Sequence, residues 1–327
     1  MLEGNSDVDA IVHLPKRPSI RDEIALFTRL FRRFDLVFST SPSDRSFGNT
    51  LMAGGRRFAV RPPMEPKHWW KRLCPVRTLT QDGSTNVVEQ NLRLAELAGI
   101  PRIPIVVPPH SADAEQHLRA LLPFNFRTTP YCVVHLLPST IYKRWPLREW
   151  SKVINVLRNA GLQVVLTSGP LPTDVAYVRE AKASFASDVI EIAGRLSFGV
   201  LTTLLKSAVC YLGPDTSVTH LAAACGTRTV ALYGPTNIRK WGVWPCGYQG
   251  SEPPFTGATQ VEEHGNVLLL SVPCRCPDIR RVCNVSLAFE SACMRTLPAE
   301  LVIEQLERFL PCSEESGWNQ NAAFSPS

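Results

Sequence analysis

No window of this chain approaches the eighteen or so apolar residues that a membrane-spanning helix needs, so a helical transmembrane protein is set aside. The first residues, MLEGNSDVDA, are acidic and lack an apolar core, so a secretory signal is not expected. Neither G-x-x-x-x-G-K-[ST] nor G-x-G-x-x-G occurs, which removes kinase and P-loop NTPase readings. H-E-x-x-H is absent, and so is a zincin. There is no zinc-finger, RNA-recognition or helix-turn-helix signature, and the formal charge of +6 over 327 residues is modest. Nucleic acid is therefore not an expected partner. The ten cysteines are scattered rather than arranged as a secreted framework. A cytosolic location would keep most of them reduced.

What is present is a 44% apolar chain, long enough for one large or two ordinary domains. The first half alternates short strand and helix patterns. Ala10–Leu14 reads as a strand. Ile20, Ile24, Phe27, Leu30 or Phe31, and Phe34 make a helical stripe. Leu36–Phe38 reads as a buried strand, Leu51–Gly55 as the end of a helix, Phe58–Val60 as a strand and Val87–Ala98 as a helix. Pro101–Pro109 is expected to be a last strand, before a linker near Leu122–Pro130. The second half is more regular. Strands are expected at Tyr131–Leu137, Gln163–Thr167, Val189–Ile192 and from Val209. Helices lie between them, and Pro298 opens a last one. That β–α alternation implies a parallel sheet covered on both faces.

The segment Tyr211–Pro245 concentrates the polar chemistry. An apolar run leads into Gly213-Pro214-Asp215-Thr216-Ser217, and a small-residue helix follows from Val218 to Cys225. After Gly226 a second apolar run ends in Gly234-Pro235-Thr236. A helix start offers unpaired N–H groups and the positive end of its dipole, which suits a phosphate. Asp215 and His220 lie beside it. Asp, Thr and Ser are also ordinary N-caps, and that reading stays open. Ser139, Thr140 and Lys143 fall just past the expected Tyr131–Leu137 strand, where hydroxyls and an ammonium can neutralise phosphate oxygens. A solvated loop lysine is the alternative.

Three ordered elements carry a resemblance to glycosyltransferase family 9, the bacterial heptosyltransferases. They are Pro138-Ser139-Thr140-Ile141-Tyr142-Lys143-Arg144-Trp145-Pro146, then Asp215-Thr216-Ser217-Val218-Thr219-His220-Leu221-Ala222-Ala223-Ala224, then Tyr233-Gly234-Pro235-Thr236 running on to Trp241 and Trp244-Pro245. The resemblance covers residues 131–311 well and 8–109 more loosely. It implies an α/β, GT-B architecture: two Rossmann-like parallel-sheet domains facing across a cleft. The expected division is 1–122 on the acceptor side, a linker at 123–130, a nucleotide-sugar domain at 131–311 and a disordered tail at 312–327.

The resemblance also implies a donor site. Ser139, Thr140, Lys143 and the backbone of Thr216, Ser217 and Val218 would hold the pyrophosphate. Asp215 would contact the donor sugar and His220 would stand beside it. Leu196 falls where the family packs adenine, and Asp174 is a candidate for the ribose hydroxyls. His220 and Leu196 read equally as core residues, and Asp174 as a helix cap. No catalytic residue is assigned. Family members open with a strand and a Gly-Asp loop that supplies the base, and no Gly-Asp occurs in residues 1–60. The N-terminal domain is thus expected to be incomplete. Asp44 and Glu65 are the nearest other N-terminal carboxylates, and their sequence surroundings do not mark them as bases.

The expected function is transfer of a heptose or related sugar from an ADP-type donor to a glycolipid of the lipopolysaccharide core, a glycan or a protein. The alternative is a GT-B nucleotide-sugar-binding protein without catalysis. No cofactor is required for transfer. Cys274, Cys276, Cys283 and Cys293 read either as reduced thiols or as a ligand set for iron or zinc. The basic, aromatic stretch of Arg56, Arg57, Arg61, Lys67, His68, Trp69, Trp70, Lys71 and Arg72 would suit an anionic glycolipid acceptor, with a basic surface loop as the plainer reading. The location implied is the cytoplasm, with peripheral contact at the inner membrane.

Overall fold

The structure is a computed structural model and describes residues 2–15, 17–63, 66–138, 140–186, 188–273 and 291–310. Among these residues the chain forms two sheets. The first has strands β1 (Leu36–Ser39), β2 (Arg56–Arg61) and β3 (Arg77–Thr80), in that order and parallel throughout. Helices α1 (Ile20–Leu30), α2 (Asp44–Ala53) and α3 (Val87–Leu97) alternate with them. Each helix starts at a residue able to accept a first-turn N–H. Ser19 and Asp22 form a reciprocal capping box on α1, Ser43 caps α2 and Asn86 caps α3. Phe58 and Val60 of β2 pack with Leu94 and Ala98 in a small core.

Several expectations for this half need correcting. Ala10–Leu14 forms no strand. Val12 and Leu14 are exposed, and no neighbouring strand offers a ladder. Residues 101–109 are irregular as well. Their prolines at 101, 104, 108 and 109 each remove a ladder donor. The stripe on α1 does form a helix, but Ile20, Ile24 and Phe27 face outward and only Leu26 is buried. Leu36–Phe38 is a strand but not a buried one, because β1 lies at the sheet edge. Strand β3 was not anticipated, since Arg77-Thr78-Leu79-Thr80 has only one apolar residue.

Helix α4 (Ala114–Leu121) leads toward the second sheet, which contains β4 (Tyr131–His135), β5 (Gln163–Thr167), β6 (Ile190–Glu191), β7 (Cys210–Pro214), β8 (Thr229–Tyr233), β9 (Val261–His264) and β10 (Val267–Ser271). Their order is β6-β5-β4-β7-β8-β10-β9, parallel except for the β9–β10 hairpin. Strands β4, β7, β8 and β10 are buried along their whole length, which is why they read as unbroken apolar runs. Side chains alternate between faces. Cys132 and Val134 enter one core with α5 (Leu147–Asn159), α6 (Pro172–Ser184) and α10 (Ala299–Phe309). Tyr131 and Val133 enter the other with α4, α7 (Phe198–Ser207) and α8 (Ser217–Ala224). On α5 the buried residues Trp150, Val153, Ile154 and Leu157 keep the i, i+3, i+4, i+7 spacing.

Two features of this layout matter for function. The chain winds from β4 out to β6, then returns to place β7 on the other side of β4. The order therefore reverses between β4 and β7, where open α/β sheets form a ligand crevice. The carboxyl rims of the two sheets also meet. Asn237, past β8 at the start of α9 (Ile238–Trp241), donates to the Gly83 carbonyl past β3 at 2.8 Å. The buried Asn86 amide donates to the Gly242 carbonyl at 2.9 Å.

Two glycines in helices should respond oppositely to alanine. A Cβ at Gly48 in α2 meets nothing within 4 Å, so Gly48→Ala should stabilise by about 0.5–1 kcal/mol through helix propensity. A Cβ at Gly199 in α7 would lie 2.7 Å from backbone atoms of His110. Gly199→Ala should destabilise by about 1–3 kcal/mol, because backbone must move. Thermal melts of the two variants check both signs.

Candidate functional site

The reversal between β4 and β7 is flanked by two loops. After β4 the chain passes through a short 3₁₀ turn, Ile141–Lys143, into Trp145. Trp145 is buried, packs edge-on against Trp150 and donates its indole N–H to the Leu297 carbonyl at 3.0 Å. Lys143 thus sits two residues from a fixed anchor. After β7, the Asp215 amide donates to Leu232 of β8 at 3.2 Å. Thr216 has extended backbone and caps α8, its hydroxyl accepting from the Thr219 amide. Thr219 donates its hydroxyl proton to the Pro214 carbonyl, so Tyr211 donates to Thr219 at 2.9 Å. This chain of hydrogen bonds is buried beneath the turn. A Cβ at Gly213 would collide with the Tyr211 hydroxyl, so the motif needs glycine there.

Three side chains converge on the Asp215 carboxylate. The Lys143 ammonium donates to Oδ2, the Thr236 hydroxyl donates to Oδ2 at 2.8 Å, and His220 Nε2 stands 3.7 Å from Oδ1. Asp215 is buried. Burial, the largest influence, pushes its carboxyl up. His220, the Lys143 charge and the donated hydrogen bonds outweigh that and hold it at about 2. It is an anion throughout the neutral range. The first-turn N–H groups of α8 at Ser217 and Val218 have no partner within the helix. The Thr140 hydroxyl oxygen is buried without a hydrogen-bond partner among the described residues, a state that native polar groups rarely keep without a ligand or water. His135 ends β4 fully buried, with Nδ1 3.0 Å from the Thr167 hydroxyl. Burial pushes it down to about 4, so it adds no charge at neutral pH.

The structure therefore gathers Lys143, Asp215, Thr216 and His220 into one cluster, with Ser217, Val218 and Thr140 on the same two loops. His220 is half-exposed rather than core. Asp174 and Leu196 lie farther along the rim, at the ends of β5 and β6. Asp174 is in the first turn of α6, whose N-cap is Leu171, so it is not the cap itself. Its carboxylate rests against Gly169, where a Cβ would be 2.7 Å from Oδ2. Leu196 is partly buried against the α7 core. Thr236, the last residue of Gly234-Pro235-Thr236, joins the site although its sequence spacing did not mark it. The signal was its place just past β8, next to the crevice.

Ser139 and Glu65 lie outside the described residues, as do Cys274, Cys276 and Cys283 of the expected metal set. Cys293 is half-buried, its thiol 3.4 Å from the Ser291 hydroxyl. Among the described residues no group of three or more His, Cys, Asp or Glu could hold a metal. The basic stretch is not simply a surface loop. Lys71 is 2% exposed, donates to the Pro42 carbonyl at 3.0 Å and pairs with Asp44 at 2.7 Å. His68 stands 3.6 Å from the same carboxylate. Asp44, whose sequence surroundings did not mark it as a base, thus has two basic neighbours.

No helix among the described residues is long and apolar enough to cross a membrane. Comparison with known proteins agrees with the fold and the motifs. Lipopolysaccharide heptosyltransferase 3 of Escherichia coli (strain K12) is 33% identical over 181 residues, covering 54% of this chain and 51% of that protein. The chain spans about half the length of the curated relatives it matches. Among solved structures, the glycosyl transferase family 9 protein from Veillonella parvula DSM 2008 superposes with a TM-score of 0.67 at 15% identity, over 90% of this chain and 80% of that one. Escherichia coli heptosyltransferase WaaC with ADP gives 0.60 at 18% identity, over 89% and 79%. The fold is α/β of the GT-B class. The sequence model described as glycosyltransferase family 9 (heptosyltransferase) matches residues 64–252, more than half of the chain, and the chain belongs to that family.

Proposed function

We propose that the chain holds an ADP-type nucleotide sugar along the carboxyl rim of the seven-stranded sheet and serves transfer of a heptose or related sugar. The acceptor would be an anionic glycolipid of the lipopolysaccharide core, or another glycan or protein. The observation that carries this reading is the cluster of Lys143, Asp215, His220 and the α8 N-terminus at the β4/β7 reversal. A cation and a helix start meet there beside a buried carboxylate, which suits a pyrophosphate joined to a sugar.

On this reading the ligand would run along the order of the strands. Leu196 past β6 would meet the adenine, and Asp174 past β5 the ribose hydroxyls. Ser139, Thr140, Lys143 and the amides of Thr216, Ser217 and Val218 would hold the pyrophosphate. Asp215 and His220 would face the sugar. In transfer, the bond from the anomeric carbon to the β-phosphate oxygen breaks, and a bond to the acceptor oxygen forms. ADP leaves with added negative charge, which Lys143 and the helix dipole would stabilise. The acceptor hydroxyl gives up its proton in the same reaction, a step worth about 10²–10⁴ in rate when a base assists. No described residue is assigned that role. The three-stranded sheet, its rim turned toward the donor rim, would carry the acceptor. A glycolipid acceptor would bring the chain to the cytoplasmic face of the inner membrane.

ADP is the first probe, because a family structure was solved with it. Calorimetry should show ADP binding by the wild-type chain. Lys143→Ala should weaken it about tenfold or more, since a hydrogen bond to a charged group is worth roughly 1.5–3 kcal/mol. Equal affinity of the two proteins would take Lys143 out of the site. Ser217→Gly should change ADP affinity by less than about tenfold, roughly 1.4 kcal/mol. Its backbone N–H, not its hydroxyl, is the expected contact, and a larger loss would reverse that assignment.

A further inference from the structure

The roles assigned to Lys143 and Asp215 conflict while the two hold each other. The Lys143 ammonium donates to Oδ2 of Asp215. An ammonium that turns to a pyrophosphate gives up some or all of that contact. A carboxylate that is to receive a sugar hydroxyl must still keep its direction. Thr236 answers that requirement from a third strand end. Its hydroxyl donates to the same Oδ2 at 2.8 Å, but it comes from β8, whereas Lys143 follows β4 and Asp215 follows β7.

The turn that carries Thr236 is held on several sides. The Thr236 amide donates to the Gly234 carbonyl at 2.8 Å, and Pro235 between them has a fixed φ. Met294 packs so closely on Gly234 that a Cβ there would collide with its sulfur. Asn237, the next residue, ties the turn to Gly83 across the rim. A lysine has four rotatable carbons between backbone and charge, whereas the threonine hydroxyl sits on Cβ with a restricted χ1. Of the two donors on Oδ2, the threonine is built to stay and the lysine to move.

We propose that Thr236 is a positioning residue: it holds the Asp215 carboxylate toward the donor sugar while Lys143 exchanges Asp215 for the pyrophosphate. This rests on the donor-site reading above. It separates two parts of one ligand. The nucleotide and phosphates should be indifferent to Thr236, and the sugar should not.

The test is calorimetry of the full chain with ADP and with ADP-heptose, for wild type, Thr236→Val and Thr236→Ser. Thr236→Val should bind ADP within about twofold of wild type, yet lose about tenfold or more in affinity for ADP-heptose, as expected for a hydrogen bond to a charged group. Retained ADP binding also shows that the variant is folded. Thr236→Ser keeps the hydroxyl and should restore most of the ADP-heptose affinity. A Thr236→Val protein that loses equally on both ligands, or on neither, overturns the proposal. So does a serine variant as impaired as the valine one. Wild type that binds neither ADP nor ADP-heptose overturns the donor reading itself.

Discussion

The constraint on which this molecule depends is the reversal of strand order between β4 and β7. A parallel sheet wound in one direction places each loop beside the helix that follows it. When the chain returns across β4 to lay down β7, the two loops leave in opposite directions, the arrangement at which open α/β sheets bind ligands. The residues proposed to hold the donor come from that geometry. Lys143 is 72 residues from Asp215, and the two meet because β4 and β7 are hydrogen-bonded neighbours in register from Cys132↔Cys210. Shifting either strand by one residue would turn a buried side chain to the opposite face and disrupt both cores at once. The geometry of the site and the packing of the sheet are thus one specification.

The second sheet was largely legible because its central strands are buried on both faces. Gln163–Thr167 was bounded correctly from its apolar run alone. The first sheet was less so, for a physical reason. Its strands are short, β1 has an exposed face, and β3 is mostly polar, so tertiary pairing rather than local pattern defines them. The expected strand at Ala10–Leu14 had a suitable pattern and no partner. Helix α4 and the β9–β10 hairpin were also missed. The first is short, and the second depends on pairing with β8.

Within the site, sequence reading found the residues that differ from their surroundings: a lysine after an apolar run, and an aspartate and hydroxyls before an Ala-rich helix. It did not find Thr236. A threonine in Gly-Pro-Thr is ordinary until β8 is known to lie beside β7. The same holds for Glu89, a buried carboxylate whose partner Arg102 also reaches the Gly250 carbonyl at 2.6 Å. Partners distant in sequence are invisible to spacing rules, because the fold and not the spacing brings them together.

The energetics of Asp215 bear on whether the cluster is structural or functional. Taking a carboxylate and an ammonium out of water costs several kcal/mol for each ion after relaxation. The Lys143–Asp215 pair recovers part of that through its charge, and Thr236 and His220 supply further stabilisation of the anion. Recovery is not surplus: apolar residues of similar volume often replace such pairs without loss. The neighbouring turn shows that stability could be met otherwise. Tyr211, Thr219 and Pro214 fix the backbone at this point through uncharged hydrogen bonds alone. A charged pair adds nothing to that purpose. What it adds is an ammonium and an anion gathered beside the start of a helix, where its dipole also points. Fold stability does not call for that arrangement, and the proposed donor, with its negative diphosphate and hydroxyl-rich sugar, would.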